Sequence, residues 1–228
     1  MHTSLFHLSD EPFIEAETVI SVFMREDGEI FAQCADMLEG FSSAMSNAFG
    51  DNVLASEARL FAYNYAIKEL GFYAPLMPAE DCGKLIIDTV YDHELNTVSS
   101  NRAVRLTGKE IYPKELEDIK LGAENGYDCY GVLEGKTVVS AAYTFLSHRD
   151  IDGEIEIGVE TVSQYRGRGY AADCVAALSE YLYNENVSVI YSYYEHNIAS
   201  AALAEKCGFH VFAKGYEITL ERSDKNAL

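Results

Sequence analysis

The chain has 228 residues, 48% of them hydrophobic, and a formal net charge of −20 at pH 7. This length and apolar content suffice for one large domain, or for one domain with a smaller lobe. The acidity excludes the basic footprint of a nucleic-acid-binding protein, and no apolar run approaches the roughly 18 residues of a membrane span.

The first part of the chain predicts a β-hairpin followed by helices. Residues rich in β-formers flank a turn at residues 26–29, and helical spacing of apolar residues follows further on. The predicted elements are strands over residues 18–24 and 30–34, a helix over 55–70 and a second helix from 78 to about 91. A polar stretch over residues 96–101 then favours a boundary near residue 102, so we expect residues 1–101 to form an N-terminal α/β lobe.

The second part, residues 102–228, alternates strands with helices. The predicted strands cover residues 104–106, 130–133, 137–145, 154–162, 187–193, 211–213 and 216–220, and the predicted helices cover 113–123, 170–184 and 200–207. The strand–helix–strand unit over residues 154–193 predicts a right-handed crossover between two parallel strands. The other neighbouring strands form hairpins, so the sheet should be mixed.

A glycine-rich loop separates the predicted strand at 154–162 from the helix at 170–184. It reads Gln-Tyr-Arg-Gly-Arg-Gly-Tyr-Ala from Gln164 onward. Glycines let a phosphate approach the backbone closely, and the positive end of the following helix points at the same spot. No Lys-Ser or Lys-Thr pair follows, which excludes the usual P-loop, and Ala172 stands where a dinucleotide fingerprint has its third glycine. A simple tight loop remains the alternative.

A second motif follows the next predicted strand. From Asn197 to Phe209 the chain has the pattern N-x-x-S-x-x-x-x-x-K-x-G-F. With both motifs present in this order and spacing, the chain resembles the GNAT superfamily of N-acetyltransferases over about residues 102–221. The resemblance implies an α/β (α+β) fold with a mixed, mostly antiparallel sheet, whose central parallel strands splay apart between flanking helices.

The resemblance also implies a site for acetyl-CoA. The pantetheine arm would pair with the backbone of one splayed strand, the loop would hold the pyrophosphate, and two polar residues would contact the cofactor from the other side. The implied cofactor-binding residues are Val159, Thr161, Val162, Arg166, Gly167, Arg168, Gly169, Tyr170, Ala171, Asn197 and Ser200. Ser200 is also a candidate helix N-cap.

Catalysis has weaker signals. Many members of the family have a tyrosine as general acid where this chain has Ala204, so we consider Tyr194, or its neighbour Tyr193, as the proton donor. The amine acceptor also needs a general base, because amines are mostly protonated near pH 7. Alternation in the strand at 154–162 places three acids on one face, of which Glu160 is the first candidate for the base and Glu156 the second.

These observations predict an acyltransferase that moves an acetyl group from acetyl-CoA directly to an amine, a small molecule being the expected acceptor. A non-catalytic acyl-CoA-binding or sensing module is the alternative, motivated by Ala204, and a Tyr-rich interaction protein is a third class. Amine metabolites, polyamines, aminoglycoside-like drugs, amino acids and protein N-termini remain open as acceptors. The N-terminal lobe would line the acceptor pocket, or else serve dimerisation or packing.

The remaining features concern metals, assembly and location. The five cysteines are odd in number and form no CxxC pair, and the six histidines lack a ligand spacing such as HxxxH, so we expect neither disulfides nor a metal. A homodimer is the default expectation. The N-terminus does not resemble a signal peptide, and the predicted location is the cytoplasm.

Overall fold

The computed structural model of the protein describes residues 16–35, 38, 40–70, 73–75, 84–99, 102–145 and 153–222. The strands in this described part are β1 Ala16–Arg25, β2 Ile30–Cys34, β3 Tyr73–Pro75, β4 Ile86–Tyr91, β5 Val104–Arg105, β6 Cys129–Glu134, β7 Thr137–Thr144, β8 Glu154–Thr161, β9 Ser188–Tyr194 and β10 Phe209–Arg222. The α-helices there are α1 Phe41–Phe49, α2 Ser56–Leu70, α3 Glu117–Glu124, α4 Tyr170–Asn184 and α5 Ile198–Lys206.

The chain forms two compact units that are not contiguous in sequence. The first unit combines most of the described residues up to Lys84 with the C-terminal residues from Gly215. The second unit consists of residues 85–214 and the short segment 25–27. This division differs from the boundary predicted near residue 102, because β4 belongs to the second unit.

In the first unit, β1 and β2 form the predicted antiparallel hairpin, in which Met24 lies opposite Ile30. The strand order is β2-β1-β10, and β3 also pairs with β10. Alternate residues of β10, beginning with Tyr216, are buried against β1 and the two helices. The predicted helix over residues 55–70 is confirmed as α2, whereas α1 was not predicted.

The helix predicted over residues 78–91 is wrong where the structure describes it. Residues 86–91 form strand β4, and residues 78–83 lie outside the described part. The segment Ile-Ile-Asp-Thr-Val-Tyr is rich in β-branched residues, and its burial alternates with period two. The strand pairs antiparallel with β9, placing Thr89 opposite Tyr191, and the buried Thr89 hydroxyl donates to the Tyr191 carbonyl at 2.6 Å. Pairing with β9 outweighs the approximate helical spacing of the apolar residues.

The second unit has the strand order β10-β4-β9-β8-β7-β6-β5, to which β10 contributes its first residues. The β8–β9 pair is parallel, as predicted, and the pairs β4–β9, β5–β6, β6–β7 and β7–β8 are antiparallel. Helices α4 and α5 pack on one face with Ile155, Ile157 and Val189, and α3 packs with β6 and β7. The strands predicted at 211–213 and 216–220 are parts of the single strand β10.

The two parallel strands separate partway along their length. Their ladder joins Glu154 to Ser188 and ends where Glu156 lies opposite Ile190. Beyond this point β8 continues to Thr161 on β7, while β9 continues to Tyr194 on β4. The predicted splay of the central strands is therefore present, and Glu156 lies at the point where they separate.

Candidate active site

The glycine-rich loop leads directly into the start of α4. Gly169 is the N-cap of the helix with φ 80°, and Gly167 has φ 75°. Both angles lie in the left-handed region that favours glycine. A Cβ added to Gly167 would meet no atom within 4 Å, so the space above the loop is open. The first N–H groups of α4, which have no partner within the helix, are therefore available to an anion.

Two arginines brace this loop while remaining exposed. The Nε of Arg166 donates to the Thr161 carbonyl at 3.2 Å. The guanidinium of Arg168 donates to the Gln164 carbonyl at 3.4 Å and lies 5.1 Å from the centre of the Tyr165 ring. Both charges stay at the protein surface beside the glycines. The predicted loop residues thus combine positive charge with an open backbone.

Tyr170 and Ala171 form the first two positions of α4. The Tyr170 hydroxyl donates to the carboxylate of Glu134, and this hydrogen bond is the main reason why the pKa of Tyr170 is raised. The ring of Tyr170 is thereby tied to β6, and Ala171 is half-buried beside it. These residues fix where the helix begins.

Fewer backbone groups of β8 face the gap than predicted. The Val162 N–H donates to the Val139 carbonyl at 3.0 Å, so this group points towards β7 and not into the gap. Backbone groups alternate in an antiparallel ladder, so those of Val159 and Thr161 point away from β7. The prediction of a gap-facing backbone is wrong for the N–H of Val162, whereas Val159 and Thr161 have the required direction.

The start of α5 assigns separate roles to two predicted residues. Asn197 is the N-cap, and its Oδ1 accepts a hydrogen bond from the Ser200 N–H at 3.1 Å. Ser200 is therefore not the N-cap, because it already lies inside the helix. Its hydroxyl instead bonds to the hydroxyl of Tyr191 at 3.2 Å. At the other end of the helix, Gly208 has φ 85° and ends α5, as predicted.

The acids of β8 share one face, opposite the face that packs on α4. Gly158 lies between Glu156 and Glu160 on this face, and a Cβ there would come within 2.6 Å of the Tyr143 ring. Burial raises the pKa of Tyr143, and the nearby charge of Glu160 raises it further. The Tyr143 ring thus lies over the strand between the two candidate bases, which places them in different surroundings.

Two residues that were not predicted from the sequence lie beside Glu156. Asp88 of β4 and Ser192 of β9 lie opposite each other, and the Ser192 side chain is close enough to both carboxyl groups to influence their pKa values. Burial raises the pKa of Asp88 to about 6, the Ser192 side chain opposes this, and the charge of Glu156 adds to it. Partial desolvation also raises the pKa of Glu156, with Ser192 opposing the rise, although the residue as a whole is exposed. Asp88 escaped notice because its segment was predicted to be helical.

The candidate proton donors lie on opposite faces of β9. Tyr194 is 45% exposed, shares its face with Ser192, and stacks on His196 with ring centres 5.6 Å apart. Tyr193 packs towards α5, and burial raises its pKa. Ala204 is buried in the same core cluster against which Tyr193 packs. Of the two tyrosines, Tyr194 is thus the one on the same face of the sheet as Asp88 and Glu156, here called the acid pair.

The described residues provide neither a metal site nor a membrane-spanning helix. These residues contain no group of three or more His, Cys, Asp or Glu side chains that could hold a metal ion. Among the helices in the same part of the chain, none is long and apolar enough to cross a membrane.

Several solved structures are similar to this chain. One is a GNAT-family acetyltransferase structure from Novosphingobium aromaticivorans DSM 12444, with 18% identity, a TM-score of 0.49, and coverage of 66% of this chain and 72% of that one. Another is a GNAT-family acetyltransferase from Colwellia psychrerythraea, with 13% identity, a TM-score of 0.48, and coverage of 88% and 81%. No curated protein matches the sequence.

The family itself is shown by the sequence. The family model described as "Acetyltransferase (GNAT) domain" matches residues 85–210, which is more than half of the chain. This range begins just before β4 and ends in β10, so it coincides closely with the second compact unit. It contains the glycine-rich loop, the separated strands and the acid pair, and the chain therefore belongs to the GNAT acetyltransferase family.

Proposed function

We propose that the protein is an N-acetyltransferase that moves an acetyl group from acetyl-CoA directly to the amine of a small, cationic acceptor. The observation that carries this proposal is the position of Glu156. It lies where the two parallel strands separate, next to the gap that would take the pantetheine arm. A carboxyl group with a raised pKa at this point suits general-base catalysis.

The residues around the gap fit the cofactor. Open space above Gly167, the N–H groups at the start of α4 and the exposed charges of Arg166 and Arg168 suit a diphosphate. The backbone of Val159 and Thr161 would hold the pantetheine amides as a neighbouring strand does. Acetyl-CoA supplies the thioester, whose carbonyl carbon is attacked by the amine.

The acids provide the proton chemistry and the preference for an amine. The bound ammonium group first loses one proton to solvent. The carboxylate of Glu156 then accepts the proton that the neutral amine loses as the new C–N bond forms, directly or through a water molecule. Asp88 adds a second negative charge, which attracts an ammonium group, and Ser192 lies beside both carboxyl groups. The C–S bond breaks, and the CoA thiolate leaves either as such or with a proton from Tyr194. A thiol pKa of about 8.5 makes the unassisted route feasible.

The site of the anion is tested by substitution of Gly167 with tryptophan. A bulky side chain would fill the open space above the loop, so we expect the binding of CoA to fall below detection in calorimetric titration. Gly126→Trp is the matched control, because Gly126 also has positive φ, 87°, and open space around its Cβ position. Equal CoA affinity in the two variants would contradict the assignment.

The base is tested by comparing two substitutions on one strand. We expect Glu156→Gln to lower turnover on the order of a hundredfold with CoA affinity unchanged, and Glu160→Gln to have a much smaller effect. The measurement is acetyl-CoA turnover over a panel of primary amines. The opposite ranking would move the base to Glu160. Binding of CoA without turnover for any amine would instead favour the non-catalytic, acyl-CoA-sensing alternative.

The charge of the acceptor and the cellular location of the protein are part of the same proposal. Two carboxyl groups and a net charge of −20 favour a cationic acceptor over an acidic one. This preference should shrink as salt rises, since the Debye length is about 10 Å at 0.1 M. We propose the cytoplasm as the location, on the grounds of the sequence features given above.

A further inference from the structure

A buried carboxylate lies in the first turn of α4, directly behind the proposed diphosphate loop. Asp173 is the fourth residue of the helix, and its side chain is only 6% exposed. Its Oδ2 accepts no hydrogen bond from the described residues, and it forms an ion pair with the Nε of Arg102. An uncompensated carboxylate here would oppose the binding of an anion at the start of the helix, because charges interact strongly where water is excluded.

Arg102 also contacts the loop itself. Its Nη2 donates to the Arg168 carbonyl at 3.5 Å, and its guanidinium lies 5.0 Å from the centre of the Tyr170 ring. A Cβ added to Gly169 would lie 3.3 Å from the same Nη2. Arg102 therefore joins the buried carboxylate to the residues at which the helix begins.

We propose that Arg102 is a positioning residue for the anion site, acting through Asp173. By neutralising this buried carboxylate, Arg102 keeps the start of α4 positive and thus able to bind the diphosphate of CoA. The proposal rests on the function proposed above, because it deepens the description of the same loop. Loss of Arg102 therefore weakens anion binding through the unpaired charge of Asp173.

The protein contains a matched control for this arrangement. Arg105 forms an ion pair with the buried Asp128, whose side chain is 1% exposed, and lies 4.8 Å from the centre of the Tyr181 ring. The exposed fractions of the two arginine side chains are nearly equal, 49% for Arg102 and 46% for Arg105. Tyr181 is eleven residues beyond Tyr170 on the same helix, about 16 Å along the axis. The second pair thus has the same chemistry far from the loop.

The experiment uses full-length variants titrated with two probes, CoA and inorganic pyrophosphate, at low and at physiological salt. We expect Arg102→Ala to weaken the binding of both probes at least about tenfold, more at low salt than at high salt. Asp173→Asn alone should bind at least as tightly as the wild type. The double variant, with both Arg102→Ala and Asp173→Asn, should bind both probes with affinities within about threefold of those of the wild type. Arg105→Ala should lower the stability of the protein and leave both affinities unchanged.

Three results would overturn the proposal. The first is unchanged probe affinity in folded Arg102→Ala protein. The second is a double variant as weak as Arg102→Ala, which would show that Arg102 binds phosphate directly. The third is an equal loss of affinity in Arg105→Ala, which would indicate a general structural effect. If Arg102→Ala does not fold, the probe affinities of Asp173→Asn and of the double variant are compared instead. The proposal requires these affinities to agree within about threefold, and a larger loss in the double variant would overturn it.

The pyrophosphate arm separates this proposal from the function proposed above. If wild-type protein binds pyrophosphate with the expected ranking of variants but does not bind CoA, the inference about Arg102 stands and the acetyl-CoA assignment fails. If the wild type binds neither probe, both fail.

Discussion

Asp88 is the residue whose titration should be easiest to detect. Its pKa rises from 3.8 to about 6, chiefly because burial disfavours the charged form. Between these values the folded protein binds more protons than the unfolded chain, so the free energy of unfolding falls as pH rises through this range. Asp88 therefore destabilises the fold at neutral pH, and this cost disappears below about pH 4.

We expect Asp88→Asn to stabilise the protein at pH 7.5 by roughly 1–3 kcal/mol, since a shift of about two pKa units corresponds to about 3 kcal/mol before solvent screening. Asparagine keeps the shape and can bond to Ser192. Urea denaturation at several pH values measures this gain. The gain should vanish near pH 4, and an equal gain at both pH values would contradict the assigned cause.

The sequence predicted the loop residues far better than the acid cluster. Gly167 and Gly169 are identified by a local pattern, and their positive φ angles follow from local backbone requirements. Asp88, Ser192 and Glu156 come from three different strands, so their proximity depends on strand pairing that no short motif records. The same holds for Arg102 and Asp173, which are 71 positions apart in the sequence.

The element that most changes the sequence-based description is β4. Its six residues lie between β9 and β10, inside the sheet and not at an edge. Apolar spacing alone did not exclude a helix. Residues 82, 85, 86 and 90 fit a helical period, and residues 86–91 fit a strand period equally well. The alternation of period two was the better guide, and the β-branched residues were its supporting signal.

Proline substitution in β4 tests this pairing. The Glu195 N–H donates to the Leu85 carbonyl, so by alternation the N–H of Ile87 points towards Tyr193 of β9. We expect Ile87→Pro to cost several times more stability than Ile87→Val, which should cost about 0.5–1.5 kcal/mol. Hydrogen exchange at the Tyr193 amide should accelerate only in the proline variant. Unchanged exchange there would contradict the pairing of β4 with β9.

At the scale of the whole molecule, the fold class was predictable and the division of the chain was not. Strand and helix periodicity gave most elements of the second unit, and the crossover rule gave the parallel pair. The residues from Gly215 onward belong to the first unit, although the preceding part of the same strand belongs to the second. No local sequence pattern marks this change, because β10 is continuous from Phe209 to Arg222. The role of residues 1–101 in acceptor binding stays a prediction.

A C-terminal truncation tests this return. Removal of all residues after Lys214 deletes Tyr216, Ile218 and Leu220, which are fully buried in the core of the first unit. We expect the amides of β1 to lose their protection from hydrogen exchange, because burial of these side chains contributes about 1.5–3 kcal/mol each. Truncation after Arg222 is the control and should leave β1 protected. Full protection of β1 in the shorter protein would contradict the assignment of β10 to this core.

The discontinuity of the first unit has a consequence for synthesis on the ribosome. Its hairpin and helices are made before the second unit, yet the part of β10 that completes its core is made only after it. At about 5–20 residues per second, β1 waits roughly 10–40 s for the part of β10 that pairs with it. During this time the apolar side of β1, with Val19, Ile20 and Val22, has no β10 to pack against. The nascent chain should therefore depend on chaperones until β10 has been made, although the folded protein would not.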